Sequence, residues 1–244
     1  MKNNPRLKTL ERPKDYNIFL ELWDREKYPI DEIHSYRDVP GFINDAAWLY
    51  EDVVKTLPKN AHCIEVGTYL GQSACRMAEL LKEYNRNDVK FQSIDIFYMQ
   101  WYSIMRQEDY TTEAGFGVPK AHKDYVNELY EEHGAIIIDI CRHPLYSLEL
   151  IDLVEFVCCD SKYVHNLYED ESLDFIWLDA NHEYEYIYNE IVTLWPKVKP
   201  GGILAGDDYN CEGVKKAVTE ALEQFYDITE ISTNELSFML RREF

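Results

Sequence analysis

The sequence predicts a single α/β domain built on a mostly parallel sheet, with an N-terminal extension and one long insertion. From residue 62 onward, short apolar runs alternate with segments whose apolar residues recur at helical spacing. Glycine and proline turns separate these segments. Alternating strands and helices imply right-handed crossovers between parallel neighbours. We therefore expect an extension over residues 1–60 and an α/β domain over residues 61–244.

The N-terminal segment is predicted to be irregular as far as about residue 45, because prolines recur at positions 5, 13, 29 and 40. It still carries aromatic residues, which predict that it docks on the domain: Tyr16, Phe19, Trp23 and Tyr28. A helix is predicted next, over 43–57, with Pro58 directly after it.

Seven strands and the helices between them follow from the same patterns. The strands are predicted at 63–66, 91–97, 155–160, 174–179 and 202–207, with two short ones near 226–231 and 236–241. The helices are predicted at 72–84, 184–195 and 212–225, with further helical signal around 120–132. A Pro-Gly-Gly turn is expected before the strand at 202–207.

The insertion covers residues 98–153, which is far longer than a simple crossover needs. Its first part is rich in aromatic and polar residues, and Gly115 and Gly117 could loosen it. Long insertions in compact domains commonly act as lids or binding loops. The alternative is a surface insertion with no role in binding.

The composition disfavours several kinds of partner. The net charge is −20, from 45 acidic and 25 basic residues, so the surface repels nucleic acid and anionic membranes. No apolar run approaches the roughly 20 residues of a membrane helix, and no secretion signal begins the chain. The six cysteines form no CxxC pair, which fits a reducing compartment. A cytoplasmic protein is expected.

A glycine loop joins the first strand of the domain to its helix. It contains Glu65, Gly67, Tyr69, Gly71 and Ser73. Glycines let a backbone approach a ligand closely, and the following helix offers free N–H groups. The Gly-x-x-x-Gly spacing differs from the pyrophosphate loop of dinucleotide sites, and Glu65 would repel a diphosphate but could pair with a cationic ligand. The alternative is an ordinary tight turn.

Acidic residues also end the second and third strands. Asp95 ends the second strand, where an acid typically accepts bonds from ribose hydroxyls. Asp160 and Ser161 end the third strand, where an adenine edge would lie. Taken singly, each could equally be a helix N-cap. Together with the glycine loop they predict a nucleoside pocket.

These residues resemble those of class I S-adenosylmethionine-dependent methyltransferases. The segment from Ser172 to Tyr209 sharpens the resemblance. Its Asp-Ala-x-His-x-Tyr turn, the Lys-Pro-Gly-Gly turn and the Asp-Asp-Tyr tip look like the macrocin-type and cephalosporin-hydroxylase-like small-molecule O-methyltransferases. The resemblance covers roughly residues 60–225. It implies a seven-stranded methyltransferase sheet in which the last strand is antiparallel.

The resemblance also implies roles for these residues. Glu65, Gly67 and Gly71 would shape the methionine end of the cofactor pocket, with Tyr69 and Ser73 in the same loop; Asp95 would hold the ribose, and Asp160 and Ser161 would border the adenine. In macrocin-type enzymes the acids after the fourth and fifth strands bind magnesium. Asp179, Asp207 and Asp208 occupy those positions, and carboxylates suit such a hard cation.

His182 lies three residues past Asp179, and the two are the predicted catalytic residues. An unperturbed histidine titrates near pH 6.5 and could accept a proton from a substrate hydroxyl. The alternatives are activation by a bound magnesium ion and a purely local role in the turn.

The expected function is O-methylation of a small molecule or a sugar hydroxyl. A non-catalytic cofactor-binding or assembly protein on the same fold is the alternative, and a nicotinamide-dependent oxidoreductase is a weaker one. The aromatic N-terminal segment could pair with a second subunit to form a homo-oligomer.

Overall fold

The computed structural model describes residues 6–11, 13, 25–43, 45–98 and 118–244. The first part of the predicted lid, residues 99–117 with Gly115 and Gly117, lies outside the described residues. So do three of the four aromatic residues predicted to dock the N-terminal segment: Tyr16, Phe19 and Trp23.

A central sheet organises the described part of the chain. Its eight strands are β1 (Arg6–Thr9), β2 (His62–Val66), β3 (Lys90–Asp95), β4 (Glu155–Cys158), β5 (Leu173–Leu178), β6 (Val198–Gly206), β7 (Ile228–Thr233) and β8 (Phe238–Arg242). They lie in the order β1-β7-β8-β6-β5-β2-β3-β4. β8 is antiparallel to both of its neighbours, and the other pairings are parallel. The mostly parallel sheet and the antiparallel last strand are confirmed.

The predicted count of seven strands is corrected to eight by β1. This strand lies in the segment expected to be irregular, and it pairs in parallel with β7 from Arg6 opposite Glu230 to Thr9 opposite Thr233. The Leu10 N–H continues the pairing to the Thr233 carbonyl at 2.8 Å. A four-residue edge strand gains its structure from its partner, so its own sequence carries little signal.

Strand β6 begins four residues earlier than expected, at Val198. The predicted Pro-Gly-Gly turn therefore lies inside a strand. The register explains this, because Val198 pairs with Leu173 while Ile203 pairs with Phe175, so β6 carries extra residues at an irregularity between these pairs. Such a bulge admits proline and glycine, which a regular central strand would not.

Helices cover both faces of the sheet. They are α1 (Ala46–Thr56), α2 (Gln72–Glu83), α3 (Lys120–His133), α4 (Ile137–Ser147), α5 (Tyr184–Leu194) and α6 (Glu212–Leu222). Residues of α1 and α2 form one apolar core with one face of the sheet, and residues of α5 and α6 form a second core. None of the described helices is long and apolar enough to cross a membrane.

Two helices occupy the described part of the insertion. α3 matches the helical signal around 120–132, whereas no sequence pattern indicated α4, which has Pro144 in its interior. Both contribute to a third apolar cluster, together with Tyr28 of the N-terminal extension and Leu70 of the glycine loop. The described insertion is therefore packed scaffold beside the loop that joins β2 to α2.

Candidate active site

Three of the seven non-glycine residues with positive φ among the described residues lie just after strands. Tyr69, Phe97 and Asp208 have positive φ values of 51°, 46° and 55°. They follow β2, β3 and β6, whose carboxyl ends lie at one edge of the sheet. Residues other than glycine rarely adopt this backbone conformation unless their surroundings impose it. Such residues cluster at functional sites.

Gly67 brings the glycine loop into direct contact with the end of β5. Its φ is +103°, and a Cβ atom added there would lie 2.0 Å from the backbone oxygen of Asp179. Its N–H donates to the Ile94 carbonyl at 2.8 Å, which also fixes the loop to β3. The glycine loop and the acidic residues after β5 are therefore parts of one site.

Glu65 lies behind the loop, in the core. Its side chain is fully buried and accepts hydrogen bonds from Tyr50 Oη at 2.9 Å and Ser93 Oγ at 2.6 Å. Burial raises its pKa to about 7, an effect partly offset by hydrogen bonds from Ser93, Tyr50 and Ser73. This buried position disfavours the expected contact between Glu65 and a cationic ligand.

Asp95 connects the glycine loop to β3. Its Oδ2 accepts the Thr68 N–H at 2.9 Å, and its Oδ1 accepts the Phe97 N–H at 2.9 Å. A carboxylate oxygen can accept more than one hydrogen bond. The half-buried Asp95 can thus hold the loop and still accept bonds from a ligand at the strand-end edge.

Asp160 acts as a cap in the structure. It precedes the short 3₁₀ helix Ser161–Leu167, and its Oδ1 accepts the Lys162 N–H at 3.1 Å. Its Oδ2 also lies 3.0 Å from Lys162 Nζ. The alternative stated for Asp160, a helix N-cap, is the arrangement observed, and any contact with adenine would be additional.

Three side chains converge where β5 and β6 end. His182 Nε2 lies 2.8 Å from Asp208 Oδ2 and 3.7 Å from Asp179 Oδ1. One potential ligand atom from each of the three lies within 4.8 Å of the others. We call Asp179, His182 and Asp208 the acidic cluster. About a quarter to a third of each of these side chains remains exposed, so the acidic cluster is open on one side.

Asp207 is not part of the acidic cluster. It is 3% exposed, and its Oδ1 accepts a hydrogen bond from Ser237 Oγ at 3.3 Å. Asp208 contacts His182 instead, so the two adjacent carboxylates have different partners. Of the predicted metal ligands, Asp179 and Asp208 lie close to His182, and Asp207 lies apart from them.

The acidic cluster favours a protonated histidine. Burial alone lowers the pKa of His182, but the nearby carboxylates of Asp179 and Asp208 outweigh it and raise the pKa to about 11. Burial and the nearby Asp208 raise the pKa of Asp179 to about 6, and His182 opposes this rise. An imidazolium cannot accept a proton, so this arrangement disfavours His182 as a base in the absence of a metal.

The donor set fits a divalent cation. His182 Nε2 is buried, and within the described ranges it has no hydrogen bond of good geometry despite its two acidic neighbours. Carboxylates suit Mg²⁺ and Mn²⁺, and an imidazole suits ions such as Zn²⁺ and Fe²⁺, so this mixed set fits a divalent cation without selecting one ion. A cation would relieve the repulsion between Asp179 and Asp208 that the proton on His182 relieves in its absence.

Glu190 is a buried acid that no sequence motif indicated. It lies on the packed face of α5, is 1% exposed, and its carboxylate oxygens have no hydrogen-bond partner among the described residues. Burial raises its pKa to about 7, and Ser161 offsets part of the rise. The sequence carries no sign that Glu190 is buried, because the apolar residues at helical spacing already explain why this segment forms a packed helix.

We expect Glu190→Gln to stabilise the protein at neutral pH by about 1–3 kcal/mol. The folded-state pKa of Glu190 lies above the ordinary value of 4.5, so its contribution to stability is lost as pH rises from about 4.5 to about 7. The variant should flatten this part of the stability curve, measured by urea unfolding at several pH values. Glu65, whose pKa is also about 7, should retain a residual slope. An unchanged slope would contradict the assignment.

Comparison with known proteins agrees with this architecture. Residues 64–209 match the family model described as "Methyltransferase domain". No curated protein matches the chain.

Among solved structures, the O-methyltransferase NovP is 21% identical, with 90% of each chain covered and a TM-score of 0.58. A SAM-dependent O-methyltransferase from Thermotoga maritima is 11% identical with a TM-score of 0.52; the alignment covers 82% of this chain but only 65% of that one. An O-methyltransferase from Bacillus cereus, solved with S-adenosylhomocysteine, is 15% identical, with 95% and 92% covered and a TM-score of 0.50.

These likenesses show the fold, and the family match extends over more than half of the residues. The chain therefore belongs to the methyltransferase domain family and has the fold of the class I S-adenosylmethionine-dependent methyltransferases.

Proposed function

We propose that the protein transfers a methyl group from S-adenosylmethionine to a hydroxyl of a small molecule, such as a sugar or a natural product. The contact between Gly67 and Asp179 carries the proposal, because it puts the cofactor loop beside the acidic cluster. S-adenosylmethionine supplies an electrophilic methyl group on sulfur. A divalent cation, when bound, lowers the pKa of a hydroxyl that it contacts.

Two groups of residues have different roles in the proposed site: one binds the methyl donor and the other binds the cation. The loop from Gly67 to Gly71, fixed by Asp95, binds and orients the methyl donor. Asp179, His182 and Asp208 would hold the cation, with His182 as a neutral imidazole ligand. Placing the donor and the acceptor in line contributes much of the rate of such a transfer.

A place in the macrocin-type subgroup is part of the proposal. The motif from Asp179 to Tyr184 and the Asp207-Asp208 pair support it. The proposed metal ligands are Asp179, His182 and Asp208, with His182 in place of the expected Asp207; the short distances among these three side chains support this choice. The O-methyltransferase names of the structural neighbours support a hydroxyl acceptor.

Thermal unfolding with S-adenosylhomocysteine tests the cofactor. At 100 times its dissociation constant, a ligand adds about 2.7 kcal/mol of stability, which corresponds to a rise in Tm of roughly 5–10 °C for a chain of this size. NAD at the same concentration should give no shift. A shift with NAD and none with S-adenosylhomocysteine would overturn the proposal in favour of a nicotinamide enzyme.

Asp95→Ala should weaken the affinity for S-adenosylhomocysteine at least tenfold. The change removes a charged acceptor, which typically contributes about 1.5–3 kcal/mol, and it frees the Thr68 N–H that holds the loop. Asp95→Asn keeps the shape of the side chain and one acceptor oxygen, so its affinity should lie between those of Asp95→Ala and the wild type. Calorimetry that gives equal affinities for all three proteins would remove Asp95 from the site.

A further inference from the structure

Tyr69 is held at each of its polar groups by a different element. Its N–H faces Asp95 Oδ2 of β3 at 3.4 Å, and its carbonyl accepts from Cys141 Sγ of α4 at 3.2 Å. Its Oη lies 3.0 Å from His122 Nδ1 of α3, with which it shares a hydrogen bond. Since Tyr69 lies between Gly67 and Gly71, these contacts fix the middle of the cofactor loop.

The backbone of Tyr69 needs this support. Its φ of 51° lies in the left-handed region, which is unfavourable for an aromatic residue. Strain of this kind persists only where the surroundings over-determine the conformation. Two of the three supporting contacts come from α3 and α4 of the insertion, although the insertion is remote from the loop in sequence.

His122 is built into an aromatic cluster beside the loop. Its ring centroid lies 5.1 Å from that of Phe42, 5.3 Å from that of Tyr28 and 5.8 Å from that of Tyr69. The side chain is 2% exposed, and burial lowers its pKa to about 3, so the imidazole is neutral. A neutral histidine with fixed neighbours can hold the tyrosine hydroxyl in one direction.

We propose that His122 is a positioning residue for the methyl donor: it fixes the Tyr69 side chain on the cofactor loop and so sets the shape of the pocket from the insertion. The proposal rests on the proposed function, because it takes the loop to be the cofactor site. The simpler alternative is that His122 only fills the core.

Two substitutions separate the hydrogen bond from the packing. His122→Phe keeps an aromatic ring in the cluster but removes the partner of Tyr69 Oη, while Tyr69→Phe removes only the hydroxyl. His122→Asn restores a polar atom near the position of Nδ1. Tyr125→Phe is the matched control, because Tyr125 lies three residues along α3, is 2% exposed, and its Oη has no hydrogen-bond partner among the described residues.

The dissociation constant of S-adenosylhomocysteine, measured by calorimetry, and the Tm are determined for each variant. We expect His122→Phe and Tyr69→Phe each to weaken binding about 5- to 10-fold, which is the usual effect of one hydrogen bond. The variant that carries both changes should bind S-adenosylhomocysteine about as well as the single variant with the lower affinity, because both changes remove the same hydrogen bond. His122→Asn should recover binding to within about twofold of the wild type, and Tyr125→Phe should bind like the wild type.

A purely structural His122 would lower the Tm and leave affinity unchanged, and this outcome would overturn the inference. Additive losses of affinity in the double variant would also overturn it. Wild-type protein that fails to bind S-adenosylhomocysteine would instead refute the proposed function, so the two failures are distinguishable.

Discussion

Gly67→Ala is expected to abolish binding of S-adenosylhomocysteine and to lower the free energy of unfolding by at least about 3 kcal/mol. The new Cβ would lie 2.0 Å from the Asp179 backbone oxygen, and no side-chain rotation can relieve a clash with backbone. Relief requires β2 and β5 to separate at their ends, and that separates the loop from the acidic cluster. Urea unfolding and calorimetry measure the two effects.

Gly134→Ala is the matched control for the clash. Gly134 also has a positive φ, +65°, at the end of α3, but an added Cβ meets nothing within 4 Å. The Gly134→Ala variant therefore measures only the cost of a positive φ at alanine, about 1 kcal/mol. It should leave the affinity for S-adenosylhomocysteine unchanged. If Gly67→Ala costs no more than Gly134→Ala, the close approach of the loop to β5 is wrong.

Asp208→Asn is expected to reduce methyl transfer about 10²- to 10⁴-fold while leaving the affinity for S-adenosylhomocysteine within a few-fold of the wild type. The range is that of lost activation of a reacting hydroxyl. Asp208 is 2.8 Å from His182 Nε2, so the change removes one charge from the acidic cluster. Product formation with a panel of hydroxyl acceptors, and calorimetry with Mg²⁺, provide the measurements.

Asp207→Asn is the control for that variant, since the same chemical change falls on the adjacent residue. Asp207 accepts from Ser237 in the interior, so the variant should alter stability without changing the affinity for Mg²⁺. EDTA should inhibit the wild type, and Mg²⁺ should restore it. If EDTA has no effect while His182→Ala removes activity, His182 acts as a base without metal. If neither change slows turnover, the acidic cluster is structural.

The alternation of strands and helices could be predicted because burial imposes a period on each segment. β1 could not, because a short edge strand in a proline-containing segment takes its structure from β7. α4 could not either, because Pro144 argues against a helix interior unless packing compensates. In both cases tertiary contacts decide what local propensity leaves open.

The candidate site was predictable to the level of strand ends. Asp95, Asp179 and Asp208 follow strands whose carboxyl ends share one edge, and the structure puts them there. The orientation of the side chains could not be predicted. Asp207 points into the interior beside Ser237, and Glu65 points inward and accepts hydrogen bonds from Tyr50 and Ser93. These partners come from distant parts of the chain, so no motif could reveal them. His122 could not be identified from the sequence either, because its partner Tyr69 is also distant along the chain.

Paramagnetic broadening by Mn²⁺ tests the central claim most directly, namely that the cofactor loop and the acidic cluster form one site. Mn²⁺ is bound by carboxylate ligands, as Mg²⁺ is, and its effect on nearby protons falls steeply with distance. With S-adenosylhomocysteine bound, the protons beside the sulfur should broaden more than the adenine protons. Asp208→Asn should remove the difference. Bound S-adenosylhomocysteine whose protons are broadened evenly, or not at all, would contradict the account.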